Sequence, residues 1–268
     1  MKSFRLLLAS LALAMVAVAY GVPVERTWMV NGTERRALIA VPEMRNGEHC
    51  PLVFVFHGHG GTMRHAARTL SVEKLWSEAM VVYPQGLPTP GAITDPEGTR
   101  AGWQKILGDQ GDRDLKFVDA MMATLLKEYS IDASRVFATG HSNGGAFTYL
   151  LWAERPAVFA AFAPSSGMLG RGARFPTQPR PVLHIAGRND ELVKFEWQEK
   201  AIALDLRINQ CSKDGKPWPM GGKEATIHQS KVDAPVVTWI HSGGHRYPEG
   251  ALKAVVAFFK SYDHLNEK

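Results

Sequence analysis

Cysteine is scarce: Cys50 and Cys211 are the only two in 268 residues, so the chain can form at most one internal disulfide. Export would favour pairing them, and geometry allows it, because both should lie near the N-terminal edge of a parallel sheet. Nothing in the sequence requires that bond. An excess of one charge is also lacking. The formal net charge of +5 is mild and dispersed, which argues against nucleic acid as a partner. The glycine-rich run Gly58 to Gly61 is not followed by Gly-Lys-Ser/Thr, so it is no phosphate loop. His57 and His59 suggest a metal pair, but no third ligand stands at a sensible spacing, and no metal is expected. Internal repeats, Ser/Thr-rich linkers and an added binding, propeller or lid domain are not expected either.

Long hydrophobic runs are absent except at the start. Met1-Lys2-Ser3-Phe4-Arg5 leads into the apolar stretch Leu6 to Val18 and the small-residue end Ala17-Val18-Ala19. That stretch is shorter than the roughly 20 residues a spanning helix needs, and it ends as a cleavable export signal ends. Residues 1–19 are therefore read as a signal peptide, and 20–268 as one catalytic domain, secreted and without stable membrane insertion.

What is present is an alternation of buried-strand and amphipathic-helix patterns. Thr27 to Val30 and Arg36 to Val41 flank Asn31-Gly32, the signature of a tight hairpin. The runs 51–56, 80–83, 135–139, 159–164, 181–186 and 236–241 have strand length and little polarity. Helical spacing fills 64–79, a stretch from Asp114 to Tyr129, 194–208 and the closing segment from Leu252 to Phe259. Residues 225–230 read as one more strand. The stretch 84–111 has no apolar period, and Trp103 is its one large apolar residue. This order predicts an α/β fold: a mostly parallel central sheet with helices on both faces.

The chemistry-bearing motif is Gly140-His141-Ser142-Asn143-Gly144-Gly145, between a strand and a helix. It fits the nucleophile elbow, in which a sharp turn lifts a serine hydroxyl above the sheet edge. A serine nucleophile needs a base, a group that orients the base, and donors for the oxyanion. In the α/β-hydrolase layout the order is Ser, Asp/Glu, His, each beyond the C-terminal end of a strand. Asp190 follows strand 181–186, with Glu191 as fallback, and His245 follows strand 236–241 on a glycine loop. His241 is its near rival at the strand end. His184 reads as a core histidine, and Asp205 and Asp233 as surface charges. The expected oxyanion donors are the backbone N–H groups of Asn143 and His59.

The chain resembles the secreted esterases grouped with polyhydroxybutyrate depolymerases and feruloyl or acetylxylan esterases. The resemblance rests on Pro51-Leu52-Val53 through His57-Gly58, Val82-Tyr83-Pro84-Gln85-Gly86, the elbow, Gly187 to Val193, and Gly243-Gly244-His245 with Pro248. It implies an α/β-hydrolase fold, the triad Ser142, Asp190 and His245, no cofactor, and a small, oligomeric or polymeric ester as substrate. Feruloyl or acetyl esters of plant polysaccharide fragments and hydroxyalkanoate esters are both implied. The chain departs from the family at His59, where relatives often carry Cys, and at Tyr247, where they often carry Trp. Trp103 and Tyr247 are accordingly candidates for the substrate pocket. A serine peptidase of the same fold and a non-catalytic binding protein are the alternatives.

Overall fold

A computed structural model describes residues 21–45, 47–91 and 93–262. The expected signal peptide lies outside the described residues. The strands are β1 (Val24–Val30), β2 (Thr33–Ala40), β3 (Cys50–Phe56), β4 (Met80–Pro84), β5 (Leu87–Pro88), β6 (Ala101–Gly102), β7 (Ile131–His141), β8 (Ala161–Ser165), β9 (Val182–Gly187), β10 (Lys216–Pro217), β11 (Ala225–His228) and β12 (Val236–His241). The helices are α1 (Met63–Thr69), α2 (Arg113–Glu128), α3 (Asn143–Glu154), α4 (Phe195–Ile208) and α5 (Ala251–Lys260). Among the described residues, one ten-stranded sheet runs in the order β1-β2-β4-β3-β7-β8-β9-β12-β11-β10. The six strands from β4 to β12 are mutually parallel, and the hairpins β1–β2 and β10–β11 add antiparallel edges.

The apolar runs form strands because both sheet faces are covered. In β3, Leu52, Phe54 and Phe56 point into one core, with Phe117 and Met121 of α2 and Phe147 and Leu151 of α3. Val53 and Val55 point into the other, with Met63 of α1 and Val255 and Phe259 of α5. Each buried phenylalanine contributes roughly 1.5–3 kcal/mol of burial free energy, so the inner strands are fixed in register by their side chains. Connections run from β3 outward to β4, then back across to β7. The sheet order therefore reverses at the β3–β7 pair, where an open α/β sheet leaves a crevice beyond its strand ends.

Two expectations are corrected here, and the pairing of the cysteines, which the sequence left open, is answered. The helix expected over 64–79 is short: Thr62 caps it through His65 N–H, and it ends at Leu70, where the buried Tyr83 hydroxyl accepts the Val72 N–H. The stretch 84–111 contains the hairpin β5–β6, with Leu87 paired to Gly102 and Pro88 to Ala101. Cys50 and Cys211 are free thiols. Cys50 opens β3, whereas Cys211 packs by Ala234 next to β12. Four strand spacings between β3 and β12 amount to roughly 19 Å, far beyond disulfide reach.

Candidate active site

β3, β7, β9 and β12 all end on the same edge of the sheet, and the loops that leave them converge. β7 delivers Ser142 at φ 58° and ψ −118°, a conformation an L-residue holds only when its surroundings enforce it. The enforcement is visible in the backbone. Ser142 N–H donates to Ser165 O at the end of β8 (2.8 Å), and Ser142 O accepts from Ala146 N–H (2.9 Å). Gly144 presses against the end of β3 so closely that a methyl group there would lie 2.3 Å from Phe56 O.

The Ser142 hydroxyl lies 2.8 Å from His245 Nε2, and His245 Nδ1 lies 2.9 Å from Asp190 Oδ2. The second arrangement fixes the tautomer: Nδ1–H donates to the carboxylate, and Nε2 is left to accept the serine proton. The Asp190 side chain is buried, whereas that of His245 remains partly open. Three further donors hold the carboxylate: the N–H groups of Leu192 (2.9 Å) and Val193 (2.8 Å), and the Gln198 amide (3.2 Å). Gln198 escaped the sequence reading. Its signal was present, because it stands three and four residues before the buried Ala201 and Ile202, on the apolar stripe of α4. The Asp and His loops are tied together by Arg188 N–H to His241 O and Asn189 N–H to Gly243 O. Glu191, the fallback, is exposed. His241 accepts the Gly243 N–H through Nδ1 and has a buried Nε2, which leaves it no route to Ser142.

The candidate oxyanion donors are the amides of Asn143, next to the serine in the chain, and of His59, which lines the same cleft. Asn143 N–H opens α3 and has no intrahelical partner. Among the described residues no backbone carbonyl takes the His59 N–H. The loop that carries His59 is braced on every side. His57 Nδ1–H donates to Gly58 O (2.8 Å) and its Nε2 accepts Gly86 N–H (2.9 Å), so neither nitrogen is available to a metal. Burial holds His57 at about 4, neutral at ordinary pH. His59 Nε2–H donates to Asp95 Oδ2 (3.0 Å), and Gly60 N–H donates to Ala101 O (2.7 Å). Among the described residues no group of three His, Cys, Asp or Glu side chains is arranged to hold a metal ion.

Trp103 does not line a pocket, which corrects its expected role. Its side chain is completely buried, the indole N–H donates to His57 O (2.8 Å), and the ring packs on Phe56 and Phe147. Trp103 also exchanges backbone hydrogen bonds with the Asn143 side chain at 2.7 and 3.1 Å. It is a bracket between the two loops that carry the donors. Tyr247 does reach the cleft above Ser142, and its ring meets His141 edge-on at 5.8 Å. Asp205 is likewise corrected, from surface to core: it accepts from the Tyr149 hydroxyl (2.6 Å) and lies 3.7 Å from Nδ1 of the buried His184.

Among known proteins, the model of the prolyl oligopeptidase family matches residues 92–170, which hold α2, β7, the elbow and β8. Longer matches are to esterases. A probable feruloyl esterase C from Aspergillus clavatus is 27% identical over 214 residues, spanning 79% of this chain and 75% of that protein. A bifunctional acetylxylan esterase/xylanase from Neocallimastix patriciarum is 32% identical over 151 residues, 56% of this chain but only 20% of that larger protein. The acetyl xylan esterase from Aspergillus awamori superposes with a TM-score of 0.65 at 14% identity, covering 88% of this chain and 99% of that one. The fold and sequence relatives of this kind fit an α/β-hydrolase family of feruloyl and acetylxylan esterases and support a carboxylic ester hydrolase.

Proposed function

We propose that the protein is an exported serine esterase that works through an acyl-enzyme on Ser142. The observation that carries this reading is the hydrogen-bonded series from the Ser142 hydroxyl through His245 to the buried carboxylate of Asp190. As Ser142 Oγ attacks the ester carbonyl carbon, its proton passes to His245 Nε2, and Asp190 stabilises the imidazolium that forms. The carbonyl oxygen becomes an oxyanion, received by the N–H groups of Asn143 and His59. When the tetrahedral intermediate collapses, His245 gives its proton to the departing alcohol. Water then loses a proton to His245, attacks the acyl carbon, and the free acid leaves as Ser142 recovers its proton. Export rests on the pattern of residues 1–19.

The substrate class best supported is a hydroxycinnamoyl or acetyl ester on plant polysaccharide fragments, with hydroxyalkanoate esters as the second reading. Relatives that span three quarters of their own length with this chain carry the feruloyl esterase name. The peptidase reading draws on a match confined to the elbow region. Replacing the nucleophile, Ser142→Ala, is expected to lower hydrolysis of methyl ferulate or a short aryl ester by at least about 10³-fold, with an unchanged far-UV spectrum. A fluorophosphonate probe should label the wild type and spare the variant. Retained turnover in the variant would sink the assignment.

A further inference from the structure

The cleft above Ser142 has a volume of 1280 Å³, larger than the roughly 300–1,000 Å³ that encloses a compact small molecule. Leu192, Tyr247, Pro248 and Leu252 supply apolar lining. The charged groups that line the cleft are unbalanced: Arg68, Arg100 and Arg246 face a single carboxylate, Glu249. All three arginines are exposed.

Arg100 stands beside the loop that carries the candidate donor His59. A methyl group on Gly60, one residue beyond the candidate donor His59, would lie 3.4 Å from Arg100 Cδ and 3.7 Å from Nη1. Among the described residues its acidic partner is Asp95, in an ion pair with Arg100 Nε to Asp95 Oδ2 at 3.8 Å. That carboxylate already accepts from His59, from the Thr99 N–H and hydroxyl, and from the Arg100 N–H. Among the described residues Arg68, at the end of α1, reaches only His65 Nδ1, at 3.2 Å. Guanidinium groups carry their charge at every working pH and are matched in shape to a carboxylate. Gathered in a concave wall, they raise the local concentration of anions.

We propose that the alcohol side of the substrate is an acidic oligosaccharide, with uronate carboxylates met by Arg68, Arg100 and Arg246 while the acyl group lies along the apolar lining. The proposal rests on the polysaccharide-ester reading above and narrows it to the charged subset. A neutral xylan chain would offer the three guanidinium groups no carboxylate.

The test uses oligomers that carry no ester, so the intact wild-type protein can be titrated without turnover. Calorimetric titration with a galacturonate trimer and with a xylose trimer is expected to show about tenfold tighter binding of the acidic chain at ~0.01 M salt. That advantage should vanish near 1 M, because the screening length falls from about 30 Å to about 3 Å. In the double variant Arg68→Gln, Arg100→Gln the preference for the acidic trimer should shrink, with Arg246 alone left to meet a carboxylate. Equal binding by the wild type at low salt, or a preference that salt leaves intact, overturns the proposal. The salt arm needs no variant, so it does not depend on how the substitutions fold. Hydrolysis of a neutral aryl ester is followed in parallel. Turnover without charge preference rejects the acidic substrate and keeps the esterase, whereas absence of turnover rejects the esterase reading itself.

Discussion

Ser142 is one of few non-glycine residues with a left-handed φ, a conformation that costs of order 1–3 kcal/mol and persists only where packing over-determines it. The determinant sits two residues on. Gly144 lies between the ends of β3 and β7, where an added methyl would stand 2.3 Å from Phe56 O and 2.6 Å from His57 O. Phe56 closes β3 and His57 O accepts the Trp103 indole N–H, so neither can give way cheaply. Gly144→Ala is therefore expected to destabilise the fold by about 1–3 kcal/mol and to shift the loop that carries His59. Urea unfolding and the rate of fluorophosphonate labelling check both effects. Gly58→Ala is the control for stability, because its nearest neighbour outside the adjoining residues would be His141 O at 3.4 Å, an ordinary contact. A Gly144→Ala protein as stable as that control would remove this account of the elbow. The motif made Ser142 legible in sequence, but the reason for its glycines, close approach to β3, appears only once the strands are in place.

The long connection between β4 and α2 is the element whose role the chain conceals. It has no periodic pattern because its order comes from single side chains bonded to distant backbone. Asp95 folds its turn and holds the His59 ring, Asn143 clamps Trp103, and Gln104 with the buried Arg35–Asp114 pair fixes its return to α2. Gly102 completes the socket of His59, since a methyl there would lie 2.7 Å from His59 Nδ1. The connection thus contacts both residues whose amides are the candidate oxyanion donors. Asp95 is a positioning residue in this arrangement, acting through His59. Its replacement, Asp95→Ala, frees the ring and loosens the His59 amide, and a donor displaced by about 1 Å can cost up to about 10²-fold in rate. The expected result is a kcat lowered at least tenfold with KM little changed, while Asp95→Asn, which still accepts from His59, recovers most of it. A loss confined to KM would show instead that the connection only binds substrate. Sequence reading found the strands around this element because burial on both faces writes itself as apolar runs. Contacts such as Asp95 to His59 leave no such trace.

At the scale of the whole molecule, the order Ser, Asp, His was legible because each residue had to follow a strand, and strands could be counted. Asp205 and Gln198 were not, because a polar residue on the buried stripe of a helix looks like surface until its partner is known. Burial of polar groups also sets how the fold responds to acid. His57 is held at about 4 by burial, against 6.5 for a free side chain, and His141, half-buried beside His245, is lowered to about 4 by desolvation and by that neighbouring ring. The folded protein therefore refuses protons that the unfolded chain accepts below pH 6.5. Stability contributed by the neutral rings is complete above that value, falls as the pH drops, and is lost by about pH 4. For His57 the loss amounts to roughly 3 kcal/mol over the window. The paired carboxylates Asp132 and Glu128, lowered from 3.8 and 4.5, act in the same direction but further down the scale. The interval from pH 6.5 to about 4.5 belongs mainly to the histidines. Urea midpoints measured across it should fall steeply for the wild type and less steeply for His57→Gln, whose side chain still accepts the Gly86 N–H but does not titrate. Parallel slopes would mean that His57 takes up its proton without cost in the folded protein.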